Sequence, residues 1–351
     1  VRAVTPLAVG TLILVGGFGG GLMTRLWRVL RPVVSARGAR RLALVGLALV
    51  AVVAGASSAQ ASSKTEANFG LYCGARNPAG VLRFQRWLGQ PVSYAADFIT
   101  ADNWRTIERP HGLKRWDAKS DRFRLVYGVP LIPYSGGSLA AGASGAYNIH
   151  FRRLARALRK AGQGNAILRL GWEFSGGWYP WSVGSNSQAR TFARYWRQIV
   201  TTMRAVSPQL QFDWNPARGW KPFRIALAYP GNSYVDFIGY DVYDQGWQSN
   251  YTDPVARWKD TVHGAGGLIW QRSFARARKK PMSYPEWGLA WREDGHGGGD
   301  DPYFVEQMHN WIASNNVAYH VYFDFDALDG AHALLTGRFP TAAAALHSDF
   351  D

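Results

Sequence analysis

What most limits the fold of this chain is an alternation that runs from Asn68 to the C-terminus: short apolar runs of strand length separated by stretches with helical spacing. Eight strand candidates lie at residues 69–73, 92–99, 123–132, 166–173, 210–215, 235–242, 281–287 and 317–325, each of a length suited to a buried strand. Between them, Phe151, Leu154, Ala155 and Leu158 fall at i, i+3, i+4 and i+7, and Phe192, Trp196, Ile199, Val200 and Met203 keep one helical face. Asp301 and Pro302 supply an N-cap and a first-turn proline ahead of Phe304, Met308, Trp311 and Ile312. Further helices are expected over 80–88, 103–108, 222–228, 254–262 and 268–278. Parallel strands need such crossovers, so the pattern predicts an α/β protein with a single-domain (β/α)8 TIM barrel. An open doubly wound sheet is the alternative, but it would carry a Gly-rich phosphate loop after its first strand. GARNPAG at 74–80 lacks that spacing.

The segment ahead of the alternation has another character. From Met23 it runs through a basic stretch, an apolar stretch at 42–55 and the small-residue end Ser58-Ala59-Gln60-Ala61. This layout predicts a secretory signal cleaved after Ala61, with Met23 a natural first residue. The alternative is a membrane anchor with spans at 3–22 and 42–56, the six arginines between them on the cytoplasmic side. Arg40-Arg41 before the apolar run is a weak twin-arginine signal. Both readings divide the chain into 1–61 and a barrel domain at 62–351, which is expected to be secreted or displayed on the extracellular face of the membrane.

Charge and cysteine content exclude several functions. Of the net +16, seven arginines and no acids fall within 1–61, leaving 33 basic against 24 acidic residues, about +9, beyond it. That excess suits an anionic polymer or cell wall, or serves solubility alone. No nucleic-acid-binding motif follows residue 61, so nucleic acid is not an expected partner. Cys73 is the only cysteine, which rules out an intrachain disulfide and a Cys-rich zinc site. No cofactor motif is present, no metal site is expected, and the chain is expected to act as a monomer.

The chemistry points to two carboxylates. Glu173 ends the fourth strand candidate within RLGWEFSGGWYPW, and Glu286 ends the seventh within PEWG. In a barrel both strand ends lie on one rim, the face where active sites are built, so two carboxyls can flank one scissile bond. For Glu173 alone, an ion pair with Arg169 is the structural alternative. A glycosidase that retains anomeric configuration needs one carboxyl protonated and one ionised, about 5 to 5.5 Å apart. Trp172, Phe174 and Trp178 beside Glu173 disfavour its charged form, as does the charge of Glu286. The loops at 135–145 and 295–299 follow strand ends, where they either border a cleft or form plain surface insertions.

With RLGWEFSGGWYPW, YVDFIGYDVYD and PEWG together, the chain resembles glycoside hydrolase family 26, in the clan of retaining (β/α)8 glycosidases. The resemblance spans the barrel from about Asn68 to the C-terminus, with its specific motifs on strands four, six and seven. It implies Glu173 as general acid/base, Glu286 as nucleophile and Trp178 as the aromatic beside the sugar at the cleavage point. Either Tyr240 or Tyr243 would be the tyrosine bonded to the nucleophile. Two departures stand out: Trp172 replaces the family's common His before the acid, and Tyr322 and Phe323 replace a tryptophan pair on strand eight. The implied substrate is a β-linked polysaccharide or oligosaccharide: mannan first, then mixed-linkage β-glucan or xylan. The alternatives are a catalytically inactive carbohydrate-binding or cell-surface barrel and a hydrolase of an acidic wall or capsule glycan.

Among the loop aromatics, Tyr179, Trp181 and Trp291 join Trp172 and Trp178 as candidate sugar-stacking residues. Tyr284 is a candidate donor to Glu286. Asp97, Asp241, Asp244, Asp324 and Asp326 lie near strand ends, where hydroxyl contacts, loop capping and a calcium ion are the options, though no EF-hand spacing occurs. His150 and His296 have no metal-ligand spacing.

Overall fold

The computed structural model describes residues 68–116 and 123–350. The signal or anchor segment therefore lies outside the described residues. Eight parallel strands close in sequence order: β1 (Phe69–Tyr72), β2 (Tyr94–Phe98), β3 (Arg124–Val129), β4 (Ile167–Leu170), β5 (Gln211–Trp214), β6 (Phe237–Tyr243), β7 (Met282–Gly288) and β8 (Val317–Phe323). β8 pairs with β1 to complete the barrel. The helices are α1 (Pro78–Leu88), α2 (Trp104–Glu108), α3 (Leu139–Ala143), α4 (Asn148–Lys160), α5 (Asn186–Arg204), α6 (Pro254–His263), α7 (Leu268–Arg278), α8 (Pro302–Ser314) and α9 (Pro340–Phe350).

All eight expected strands form, and the helix starts follow the caps legible in the sequence. Asn77 and Pro78 open α1, Asp253 and Pro254 open α6, and Asp301 caps α8 by accepting from the Phe304 N–H. The helix expected over 222–228 does not form. That stretch yields only a 3₁₀ turn, Ile225–Ala228, followed by another at Asn232–Tyr234. Arg224 (φ −75°, ψ 97°) and Tyr229 (φ −75°, ψ 120°), the latter restricted by the following Pro230, are both extended and confine the helical backbone to the four residues between them. Two helices appear where none was expected. α3 sits inside the Gly/Ser/Ala-rich loop, and α9 buries Ala342, Leu346 and Phe350 at the C-terminus.

Strand alternation divides the barrel into two layers. Leu71, Leu125, Leu168, Leu170 and Phe212 face the helices within the large outer core, while Tyr72, Ala96, Val126, Ile167, Tyr319 and Val321 fill the interior. The interior also holds Asp213, which accepts from Ser283 Oγ at 2.5 Å and Tyr319 Oη at 2.6 Å. Complete burial raises its carboxyl above the usual carboxylate range.

One irregularity in β7 decides where its chemistry points. Along β6 the register advances from Gly239 to Asp241, while along β7 it advances from Ser283 to Glu286, so β7 carries one extra residue. The β8 partner shows the same surplus between Tyr284 and Trp287. Pro285, with no N–H to donate, occupies this bulge. Strict alternation from inward-facing Ser283 would turn Glu286 toward the helices. The bulge turns it into the barrel mouth and leaves Tyr284 outside, where its hydroxyl accepts from Trp311 Nε1 at 2.5 Å. Tyr284 is therefore not a donor to Glu286.

Candidate active site

At the C-terminal rim a cleft of about 710 Å³ is lined by Glu173, Glu286, Trp172, Trp178, Tyr179 and Tyr243. The chain leaves β4 through Gly171 and places Glu173 itself in the left-handed region, at φ +52°. For a residue with a Cβ this costs on the order of 1–3 kcal/mol, a strain typical of functional positions. The surroundings hold it there: the Glu173 N–H donates to Asn215 O at 2.7 Å, and Glu173 O accepts from the Gly176 N–H at 2.9 Å.

Each carboxylate has its own environment. Trp178 Nε1 donates to Glu173 Oε2 at 3.2 Å. Desolvation, then the charge of Glu286, pushes the Glu173 carboxyl up to about 7, against the opposing pull of Arg169 and the Trp178 bond. Glu286 is held by one ion pair and one hydrogen bond: the charge of Arg169 Nη2 lies 2.6 Å from Oε1, and Tyr243 Oη donates to Oε2 at 2.7 Å. Arg169 is in turn fixed by Asp241 Oδ2 at 2.6 Å and by Asn215 Oδ1, which accepts from Nε at 2.8 Å and Nη2 at 2.6 Å. One residue, Asn215, thus ties both sides of the cleft together, with its carbonyl on Glu173 and its side chain on Arg169. Sequence reading set Arg169 against Glu173; it pairs instead with Glu286 and Asp241.

The choice left open on β6 is resolved by alternation. Asp241 and Tyr243 face inward. Tyr240 faces the helices, its ring stacked on Trp270 at 6.1 Å, and makes no contact with Glu286.

The walls are aromatic, and glycines make room for them. A Cβ on Gly176 would come 2.1 Å from the Trp178 ring, which lies over that backbone, and one on Gly128 would come 2.5 Å from Phe98. Trp178 is 58% exposed, which leaves its face open to a ligand. Trp172 packs against Phe98 at 5.3 Å and Tyr179 at 4.9 Å, and its Nε1 donates to Tyr179 Oη at 3.1 Å. Trp172 is therefore an apolar wall with its one donor already engaged.

Trp181 is not a cleft residue. It is fully buried, and its Nε1 donates to Trp172 O at 3.0 Å. Trp181→Ala is expected to cost about 3–5 kcal/mol of stability. A thermal melt would read this as a lowered Tm, and loss of substrate affinity without loss of stability would contradict it. Trp291 is 42% exposed but lies in an adjoining depression of about 420 Å³, which shares Arg292, Ala327 and Asp329 with the cleft.

The other aspartates serve the frame. Asp97 accepts from the Arg76 and Phe98 N–H groups and from Trp116 Nε1. Asp244 pairs with Arg257, which also holds Asp301, while Asp324 and Asp326 accept from backbone N–H groups at 332–334. Among the described residues no cluster suited to a metal ion occurs. His150 pairs with Glu108, and His296 bonds Gly246 O at 2.8 Å.

Neither glycine-rich loop lines the cleft. The one at 295–299 backs the β6 loop instead, through Gln245 and Gly297 and a Trp247–His296 stack at 5.7 Å. Sequence reading missed Phe98, Gln245, Trp247, Arg292, Asp329 and His332, all of which line the cleft. Only Trp247, an aromatic three residues beyond the YDVYD motif, carried a readable signal.

Residues 146–280 match the family model described as Glycosyl hydrolase family 26. This span includes Glu173, Tyr243 and strands β4 to β6 and ends six residues before Glu286. Among solved structures, the chain is similar to a Cellulomonas fimi endo-beta-1,4-mannanase double mutant, with 15% identity over 83% of this chain and 71% of that one and a TM-score of 0.56. It is also similar to the catalytic domain of the Bacillus sp. JAMB-750 GH26 endo-beta-1,4-mannanase, with 12% identity over 81% and 86% and a TM-score of 0.56. A third likeness is to the Bacillus subtilis mannanase BCman, with 15% identity over 82% and 86% and a TM-score of 0.55. At these identities the likeness is one of fold. No curated protein sequence matches the chain.

Proposed function

From the chain's membership in glycosyl hydrolase family 26, we propose that this glycosidase cleaves a neutral β-linked polysaccharide with net retention, with Glu173 as acid/base and Glu286 as nucleophile. The observation that carries the reading is the contrast between the two carboxyls of one cleft. Glu173 is pushed up to about 7 by desolvation and the charge of Glu286, while Glu286 is charge-paired with Arg169 and bonded by Tyr243.

In the first step a Glu286 oxygen attacks the anomeric carbon while the Glu173 proton passes to the departing glycosidic oxygen, forming a glycosyl-enzyme ester. In the second, Glu173, now ionised, takes a proton from water, whose oxygen attacks the same carbon and releases Glu286. The exposed Trp178 ring would stack on the sugar at the cleavage point. Its N–H keeps Glu173 aimed at the bond.

Mannan is the first substrate of this proposal, supported by the mannanases among the similar structures. Mixed-linkage β-glucan and xylan follow. The cleft lining carries Glu173, Glu286 and Asp329 against one arginine, Arg292, which is itself paired with Asp294 at 2.6 Å. That balance disfavours a polyanionic glycan in the cleft, despite the basic character of the chain. Export, or display through an N-terminal anchor, belongs to the same proposal, on the strength of residues 23–61.

A panel of these polysaccharides, with product anomers followed by proton NMR, tests the reading. Initial release of the β-anomer from one of them is the expected result. An inverted first product would defeat the double displacement, and binding without cleavage of any member would favour an inactive carbohydrate-binding barrel.

A further inference from the structure

The positive charge of the catalytic domain is not spread evenly. Residues 103–116 carry four basic residues and one acid, and α4, residues 148–160, carries five and none. Together they supply +8 of the roughly +9 that follows residue 61. The single acid, Glu108, is buried and already bonded by His150 and Arg153.

These two segments meet around a groove of about 640 Å³, bordered by Arg109, His111, Lys114, Arg115 and Lys160, with no acidic residue in its lining among the described residues. Arg109, Lys114, Arg115 and Lys160 are exposed, and none of them forms an ion pair among the described residues. The groove floor includes Leu113 and Ala157. It lies on the outside of the barrel, between the segment that leads into β3 and the C-terminal end of α4, and shares no lining residue with the cleft. From it, Arg152, Arg156 and Arg159 continue the charge at i, i+4 and i+7 along α4, whose thirteen residues span about 20 Å.

We propose that this groove and the exposed face of α4 form a second binding surface, which holds an acidic polysaccharide while the cleft works on a neutral one. The arginines offer paired N–H donors to carboxylates, and a floor of apolar atoms fits the apolar face of a sugar ring. A chain of bare phosphates has no such face. A bilayer would call for apolar side chains that project, whereas Leu113 is buried at the bottom of a groove. The substrate-cleft balance points the same way: the surplus charge lies away from the reacting centre, so it acts on location rather than on catalysis.

The test uses the full-length chain in non-ionic detergent, with polygalacturonate as the probe and binding read by affinity electrophoresis. Retention is expected to weaken about tenfold or more as sodium chloride rises from about 50 to about 300 mM. The charge-reversed triple variant Arg109→Glu, Lys114→Glu, Lys160→Glu should lose about tenfold in affinity at low salt, with an unchanged melting temperature. A control triple, Arg190→Glu, Arg276→Glu, Lys279→Glu, makes the same change in net charge on other faces and should leave retention within about twofold of the unmodified chain. Equal losses in both triples would reduce the effect to net charge and overturn the surface. So would an absence of retention, or tighter binding of phosphatidylglycerol vesicles through the same residues. The readout is binding alone, so inactivity on every neutral polysaccharide would sink the hydrolase reading and leave this one standing.

Discussion

Glu286→Ala is expected to lower kcat on the best polysaccharide by on the order of 10⁴-fold or more, because no other group near the anomeric carbon is positioned to form the intermediate. Stability should move the other way. In the native cleft Arg169 is shared between Glu286 and Asp241, both buried, and Asp241 is raised well above the usual carboxylate range by desolvation, with the charge of Glu286 adding to the rise. Removing Glu286 leaves Arg169 paired one-to-one with Asp241 and removes a like-charge repulsion, so Tm should hold or rise. A large activity loss at undiminished Tm is the signature of a group kept for chemistry at some cost to the fold. If the variant kept turnover within about tenfold of the unmodified chain, Glu286 would not be the nucleophile. If it melted much earlier, the contacts of Arg169 would matter more for folding than the pairing suggests.

How much of this was legible beforehand depended on how local each cause was. The barrel could be read because every strand and nearly every helix announced itself within a few residues: an apolar run, an N-cap with its proline, a helical stripe such as Phe192, Trp196 and Ile199. The two glutamates could be read because a strand end fixes which rim a side chain reaches. Facing was harder. Tyr240 and Tyr243 differ by three residues, so alternation sends them to opposite faces, and only the tertiary partner on β7 tells which face is inward. Glu286 itself points inward because of one extra residue at Pro285, a register property that no count along a single strand shows. Trp181 looked like a sugar platform from its aromatic neighbours but is core, because the chain turns back after Trp178 and seats it beneath Trp172. Cleft residues from later loops, Arg292, Asp329 and His332, arrive through folds of the chain over tens of residues, beyond the reach of periodicity. The basic groove is a case between these. Its charges could be counted from the sequence, but their convergence on one face required α4 and the segment before β3 to be placed side by side.

The pH dependence of the reaction follows from the same cleft. With Glu173 pushed up to about 7, its acid form predominates below that pH, and proton donation to the leaving oxygen fails as the pH rises through it. The alkaline limb of kcat/KM in the free enzyme should therefore bend near pH 7 and fall about tenfold for each further pH unit. An ordinary glutamate, near 4.3, would bend the profile more than two units lower, leaving only about 2% of the acid form at pH 6. Glu173→Gln should cost about 10²–10⁴-fold and abolish the limb, since no proton remains to titrate. The loss should shrink on an aryl glycoside whose leaving group departs without protonation, because the first step then proceeds without the acid. Two further variants separate the causes of the shift. Glu286→Gln removes a charge that raises Glu173 and should lower its titration, as read by carboxyl NMR, whereas Trp178→Phe removes an N–H that favours the ionised form and should raise it. Opposite movements would tie the proton to its place between the indole and the second carboxylate. A Glu173 titration that stayed put in both would assign the alkaline limb of the unmodified chain to another group, leaving Glu173 as a buried carboxyl without a part in proton transfer.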